Sequence, residues 1–124
     1  PGVYGDETFE KLNSDIMKHA EKSGVECEIY QSNHEGMIID KLHDARTKFD
    51  GVVINAGAYT HYSYAIHDAL ASLADIPKVE IHISDITKRE EFRKISVTAP
   101  ACQKQIYGQG LEGYLQAIDF LLGK

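Results

Sequence analysis

Two clusters of side chains in this sequence could do chemistry. The first is Glu80-Ile81-His82-Ile83-Ser84, a carboxylate and an imidazole two positions apart that run into a serine. Residues i and i+2 of a strand share a face, so Glu80 and His82 would stand side by side. That pairing suits general acid or base catalysis. Taken alone, it reads equally well as two ordinary surface residues. The second cluster is Asn55 with Gly57, Thr60, His61 and Ser63. It follows Val52-Val53-Ile54, a β-branched run that reads as a buried parallel strand. If the two strands lie side by side and parallel, Asn55, His61, His82 and Ser84 gather at one edge of the sheet. Stability alone does not explain four small polar groups converging there.

Other residues carry weaker signals. Arg89-Glu90-Glu91-Phe92-Arg93 reads first as a solvated helix with local ion pairs. Arg93, one turn beyond Arg89, is also placed to face back over the Ser84 loop toward a hydroxylated or anionic ligand. Tyr4, in a glycine-flanked loop, is an ordinary surface residue unless a cation lowers its pKa from about 10. No arginine lies in the first 45 residues. His61, Glu80 and His82 are residue types a metal accepts, but the His-x-x-x-His spacing of a helical site is absent. Gly108-Gln109-Gly110-Leu111-Glu112-Gly113 matches the dinucleotide fingerprint letter for letter. The fingerprint needs an acidic residue about 20 positions further on, and only 11 residues follow Gly113. A tight turn into a last helix is the better reading.

The elements that must position these residues follow from periodicity. Phe9, Leu12, Ile16 and Ala20 mark a helix from Thr8, stopped at Gly24. Val25, Cys27 and Ile29 alternate with Glu26, Glu28 and Tyr30, which predicts a short strand. Glu35 to Lys48 is a helix with Ile38, Leu42 and Ala45 inward. After Val52–Ile54, Ile66, Ala69, Leu70 and Leu73 form one apolar helix face. Asp68 lies off that face. Lys78 to Ile83 alternates as a strand, Ser84 to Lys88 is a loop, and Arg89 to Lys94 is a short charged helix. Ile106 and Tyr107 belong to a last strand, before a helix carrying Tyr114, Leu115, Ile118, Leu121 and Leu122. Alternation of this kind predicts an α/β fold, a parallel sheet with helices on both faces, in a single domain over residues 1–124.

Composition bounds the function. The chain has 124 residues, a hydrophobic fraction of 43%, a charged fraction of 26% and a net charge of −6. The acidic balance argues against nucleic acid as a partner. No apolar run approaches the roughly 20 residues of a transmembrane helix, so no membrane partner is expected. Cys27 and Cys102 have no metal-ligand spacing and read as reduced thiols of a cytoplasmic protein.

The motifs Gln31-Ser32-Asn33-His34-Glu35-Gly36, Asn55-Ala56-Gly57-Ala58-Tyr59-Thr60-His61, Glu80-Ile81-His82-Ile83-Ser84 and Arg89-Glu90-Glu91-Phe92-Arg93 closely resemble type II 3-dehydroquinate dehydratase. The resemblance covers the whole chain in order. It implies a flavodoxin-like fold, a homo-oligomer that is usually a dodecamer, and no cofactor or metal. It further implies anti elimination of water from 3-dehydroquinate, through an enolate, to give 3-dehydroshikimate in aromatic biosynthesis or quinate breakdown. By the same resemblance Tyr4 takes the substrate proton, and His82, partnered by Glu80, protonates the departing hydroxyl. Asn55 holds the water that stabilises the enolate oxygen. The Ile83 and Ser84 amides with the Ser84 hydroxyl bind the carboxylate, His61 and Arg93 hold ring hydroxyls, and Asp68 reaches a neighbouring subunit. The family also has an upstream strand and a lid arginine, neither of which occurs in these residues. Residues 1–7 are therefore expected to be a lid remnant, with two strand edges exposed and the fragment alone inactive. The alternative is a flavodoxin-like module that binds a small anion without catalysis.

Overall fold

The computed structural model describes residues 6–124, with side chains from residue 9 onward. Tyr4 and residues 1–5 of the expected lid remnant lie outside the described residues, while Asp6 and Glu7 open the first helix rather than a loop. The chain divides into two compact units between Gln31 and Ser32.

The first unit contains α1 (Asp6–Lys22). Leu12, Ile16 and Ala20 form its buried face, while Phe9 is exposed. The helix ends where the sequence predicts. Gly24 takes φ +78°, a conformation open to glycine because it has no Cβ. This lets Val25 N–H reach the Ala20 carbonyl at 3.0 Å and Gly24 N–H the Glu21 carbonyl at 3.1 Å.

The strand predicted at Val25–Ile29 is not formed. Residues 25–31 have no regular secondary structure. Alternating side chains fit a pleated surface, but a strand also needs a hydrogen-bonded neighbour. Among the described residues, no strand forms a ladder with this segment.

The second unit carries the sheet. In order it contains α2 (Glu35–Lys48), β1 (Val52–Ile54), a 3₁₀ turn (Gly57–His61), α3 (Tyr64–Ala71) and β2 (Lys78–His82). A second 3₁₀ turn (Ile86–Lys88), α4 (Glu91–Lys94), a third (Ala99–Ala101), β3 (Lys104–Tyr107) and α5 (Glu112–Leu121) follow. The strands lie in the order β1-β2-β3, all parallel. Ile54 stands opposite Glu80, and His82 opposite Tyr107. As the middle strand, β2 is buried along its whole length, including Lys78, Glu80 and His82.

Side-chain alternation divides the core between the two faces. Val52 and Ile54 pack with Leu42 and Ala45 of α2 and with Ile66 and Leu70 of α3. Val53, Val79, Ile81 and Ile106 pack with Tyr114, Ala117 and Leu121 of α5. Helices thus cover both faces, as the α/β reading expects. Within α5 Ala117 is fully buried, while Leu122, just beyond the helix, is exposed. The apolar face read for α3 is present, with Ile66, Ala69, Leu70 and Leu73 all buried. The Ser63 hydroxyl caps its start by accepting from Ile66 N–H at 3.0 Å. No described helix is long and apolar enough to cross a membrane.

Leu70 has no exposed surface. Leu70→Ala should therefore destabilise the protein by about 2–5 kcal/mol, the range for a buried leucine whose cavity cannot collapse. Denaturant unfolding would check this as a lower midpoint at unchanged slope.

Candidate active site

Two of the expected residues, Asn55 and His82, lie at the carboxyl edge of the sheet. Asn55 follows β1 directly, and His82 ends β2 beside it. Their side chains leave on different sides. Asn55 has the opposite parity to Ile54 and turns to α5, where its Nδ2 donates to the Tyr114 hydroxyl at 3.2 Å. Its Oδ1 accepts from Gly57 N–H at 3.0 Å, closing the turn that leads away from the strand. Burial raises the Tyr114 pKa, an effect the Asn55 bond offsets only in part.

Glu80 and His82 share the other face. His82 Nε2 lies 2.8 Å from Glu80 Oε2, with both side chains nearly inaccessible. The same Oε2 accepts from Ser96 Oγ at 2.7 Å and from Gln105 Nε2 at 2.9 Å. The Thr98 hydroxyl donates to Oε1. Burial pushes the Glu80 pKa up. The bonds from His82, Thr98, Ser96 and Gln105 outweigh it and hold the carboxyl below its usual range. Glu80 is thus an anion at neutral pH and acts only as an acceptor. His82 Nε2 must then carry the proton, which leaves Nδ1 as the ring nitrogen available for proton transfer.

Cys102 lies near this carboxylate. Burial, and then the Glu80 charge, push its thiol up to about 12. It is a thiol rather than a thiolate nucleophile at neutral pH.

The remaining candidates are held by local partners. His61 Nδ1 donates to the Ile95 carbonyl at 2.7 Å, and Val97 N–H to the Thr60 carbonyl at 2.9 Å. These bonds stitch the turn after β1 to the 95–98 segment that feeds Ser96 and Thr98 to Glu80. The Ile83 and Ser84 carbonyls accept from Gly110 and Gly108 N–H at 3.0 and 3.1 Å. Gly108 takes φ +73°, and a Cβ there would meet Asp85 Cβ at 3.3 Å. The glycine run is therefore the tight turn the sequence predicts, packed against the loop after β2.

Arg89, rather than Arg93, contacts Ser84, donating to its Oγ at 3.2 Å. Arg93 Nε pairs with Glu90 at 2.5 Å, and its guanidinium stacks 4.7 Å from the Phe92 ring centre. That bond holds the Glu90 carboxyl below its usual range. The Asp68 side chain is 82% exposed, and its Oδ1 lies 3.1 Å from Nδ1 of its neighbour His67. It lies off the core face, as read from the sequence. Among the described residues, no three His, Cys, Asp or Glu side chains converge as metal ligands would.

A family model described as Dehydroquinase class II matches residues 1–122. The chain belongs to the class II dehydroquinase family. It is 56% identical over 119 residues to the 3-dehydroquinate dehydratase of Lachnospira eligens, covering 95% of this chain and 81% of that protein. The 3-dehydroquinate dehydratase of Thermotoga maritima is 54% identical, with 98% and 83% covered. Among solved structures, the type II dehydroquinase of Butyrivibrio crossotus superposes with a TM-score of 0.93 at 57% identity, covering 97% of this chain and 83% of that one. That of Propionibacterium acnes gives 0.91 at 36% identity, with 100% and 85% covered. The α/β fold is thus the fold of this dehydroquinase family.

Sequence reasoning on this dehydroquinase missed four participants: Ser96, Thr98, Gln105 and Tyr114. Gln105 was within reach of a register argument, because it stands opposite Glu80 on β3. The other three come from segments whose approach to the site depends on tertiary packing.

Proposed function

We infer that this chain is a 3-dehydroquinate dehydratase, a hydro-lyase that removes water from 3-dehydroquinate to give 3-dehydroshikimate. The observation that carries the reading is the buried His82–Glu80 pair at the carboxyl edge of the sheet, in a chain of this family. An imidazole whose Nε2–H is tied to a carboxylate is suited to protonate a leaving hydroxyl from Nδ1. The carboxylate favours the imidazolium that must form beforehand. His82 is assigned as the acid and Glu80 as its partner. Tyr4 is assigned as the base that takes the C2 proton. The enolate that results is stabilised by a water held on Asn55, the role of a preorganised donor.

The substrate carboxylate is assigned to the Ile83 and Ser84 amides and the Ser84 hydroxyl, with ring hydroxyls on His61 and Arg93. The exposed Asp68 is assigned to the site of a neighbouring copy in a homododecamer. The reaction is placed in the cytoplasm, in the shikimate route to aromatic amino acids or in quinate breakdown. The conjugated enone of dehydroshikimate absorbs in the ultraviolet, and its appearance from 3-dehydroquinate tests the assignment. A protein that binds 3-dehydroquinate without producing the enone would be a binding module instead.

Arg93 must leave Glu90 to meet a substrate hydroxyl. Arg93→Ala should raise KM about tenfold or more, since a hydrogen bond to a charged group contributes about 1.5–3 kcal/mol, with a smaller loss in kcat. Steady-state kinetics would check the split.

A further inference from the structure

We propose that Thr98, with Ser96 and Gln105, positions His82 for proton transfer by keeping Glu80 an acceptor, so that the proton of the pair resides on His82 Nε2. The inference rests on the dehydratase reading for its kinetic consequence, but its structural content stands without it.

Glu80 has no exposed surface and receives donors from three separate parts of the chain. His82 shares its strand. Gln105 reaches it from β3, and Ser96 and Thr98 from the segment before the third 3₁₀ turn. Oε2 takes three of the four bonds, and Oε1 takes the Thr98 hydroxyl. A protonated Glu80 would itself need an acceptor, and its surroundings offer few. Gln105 presents Nε2 to it. The Ser96 oxygen already accepts from Ala99 N–H at 2.9 Å. The best remaining acceptor is His82 Nε2, which could accept a hydrogen bond from a protonated Glu80 only when Nε2 itself carries no proton.

The network therefore decides where one proton of the pair rests. When Nδ1 carries the proton to be delivered, the donors hold Glu80 as an anion and the pair's other proton stays on His82 Nε2. With a donor removed, that other proton passes more readily to Glu80, leaving a protonated carboxyl beside the Nδ1–H tautomer of His82. Both states hold the same number of protons. In the second, Nδ1 delivers its proton poorly, because giving it up would leave the ring with no proton until Glu80 returned one. Among the described residues, the other titratable groups on this side of β2 near Glu80 are Cys102, whose thiol is held neutral by burial, and Lys78, two positions before it on the strand. Lys78 Nζ is engaged by the Leu73 carbonyl at 2.7 Å. Neither substitutes for a lost donor.

Thr98 is the most direct handle, because it is fully buried and serves Oε1. Its oxygen also lies 3.2 Å from the Ser96 hydroxyl oxygen, so the two donors stand side by side against the carboxylate. The backbone of the segment is fixed independently, by the Val97 bond to Thr60 and the Ala101 bond to Thr98. Thr98→Val keeps the shape and removes the donor, and Thr98→Ser restores it.

The test is solid-state ¹⁵N NMR of the protein labelled in its histidine rings, with His82→Gln to identify the His82 signal. The parent should show a protonated, pyrrole-type Nε2 at neutral and alkaline pH. Thr98→Val should show a pyridine-type Nε2 in a substantial fraction of molecules at neutral pH, and Thr98→Ser should return the parent spectrum. On 3-dehydroquinate, kcat of Thr98→Val should fall about 10- to 100-fold, the usual effect of losing an outer-shell partner, with KM within about twofold. Thr98→Ser should recover most of the loss. Gln105→Leu, which removes a donor from a different element, should reproduce both changes and decides the matter if Thr98→Val does not fold. An unchanged His82 tautomer in the folded variants overturns the proposal, whatever kcat does. A tautomer shift in a protein whose parent makes no enone supports the positioning role and refutes the dehydratase reading.

Discussion

His82→Ala should lower kcat by about 10²–10⁴-fold, the span of a positioned general acid, while KM changes far less. The asymmetry follows from when the group acts. A general acid interacts most strongly with the leaving hydroxyl as its bond breaks, so its loss falls on the transition state. The substrate carboxylate and ring hydroxyls are assigned to other residues, which His82→Ala leaves in place. Glu80 also keeps three of its four donors in this variant, those from Ser96, Thr98 and Gln105, so the fold should survive. Steady-state kinetics on 3-dehydroquinate, with circular dichroism as a control for folding, would measure both quantities. Near-normal turnover in a folded His82→Ala protein would move the acid to another residue.

How much of this could be read in the sequence depends on the range of the interaction involved. The β-branched run Val52–Ile54 and the i, i+3, i+4, i+7 face of Ile66, Ala69, Leu70 and Leu73 are local patterns tied to burial, and both are present. Parallel pairing of β1 and β2 followed from the alternation of strands with helices, and with it the placing of Asn55 and His82 at one edge. The Val25–Ile29 strand failed because pairing is not local: alternation specifies a face, whereas the ladder needs a partner. The face of each edge residue escaped for a related reason. Asn55 and His82 share an edge, yet parity sends Asn55 to Tyr114 and His82 to Glu80. Arg89 and Arg93 are four positions apart, and what separates them is the bend at Arg89, which lies before α4. That bend carries Arg89 to Ser84 and leaves Arg93 on Glu90 and Phe92. The partners of Glu80 were the least legible. Ser96 and Thr98 carry no periodic or motif signal, and the bonds from Val97 and His61 are what fold their segment against the sheet.

Glu80→Ala should be among the most destabilising single substitutions in this chain, by about 3–5 kcal/mol, the usual result of breaking a buried charged pair. Against a total stability of about 5–15 kcal/mol for a domain, that is enough to threaten folding. The alanine would leave His82, Ser96, Thr98 and Gln105 aimed at a site with no acceptor and no exposed surface. Glu80→Gln should recover only part of the loss. It keeps one carbonyl oxygen, but its NH₂ must face donors on the other side. The deficit should also depend on pH in a definite direction. Burial acts to raise the Glu80 pKa, and the hydrogen bonds from His82, Thr98, Ser96 and Gln105 reverse that, so the folded carboxyl titrates below its unfolded range of about 4.3. A carboxyl harder to protonate in the folded chain stabilises it fully above that range. The contribution is lost progressively as pH falls through the folded value. Urea unfolding of the parent and Glu80→Gln between pH 7 and pH 3 should therefore show two midpoints that converge on acidification. A gap that stayed constant over that range would mean that the ionised carboxylate is not what holds the site together.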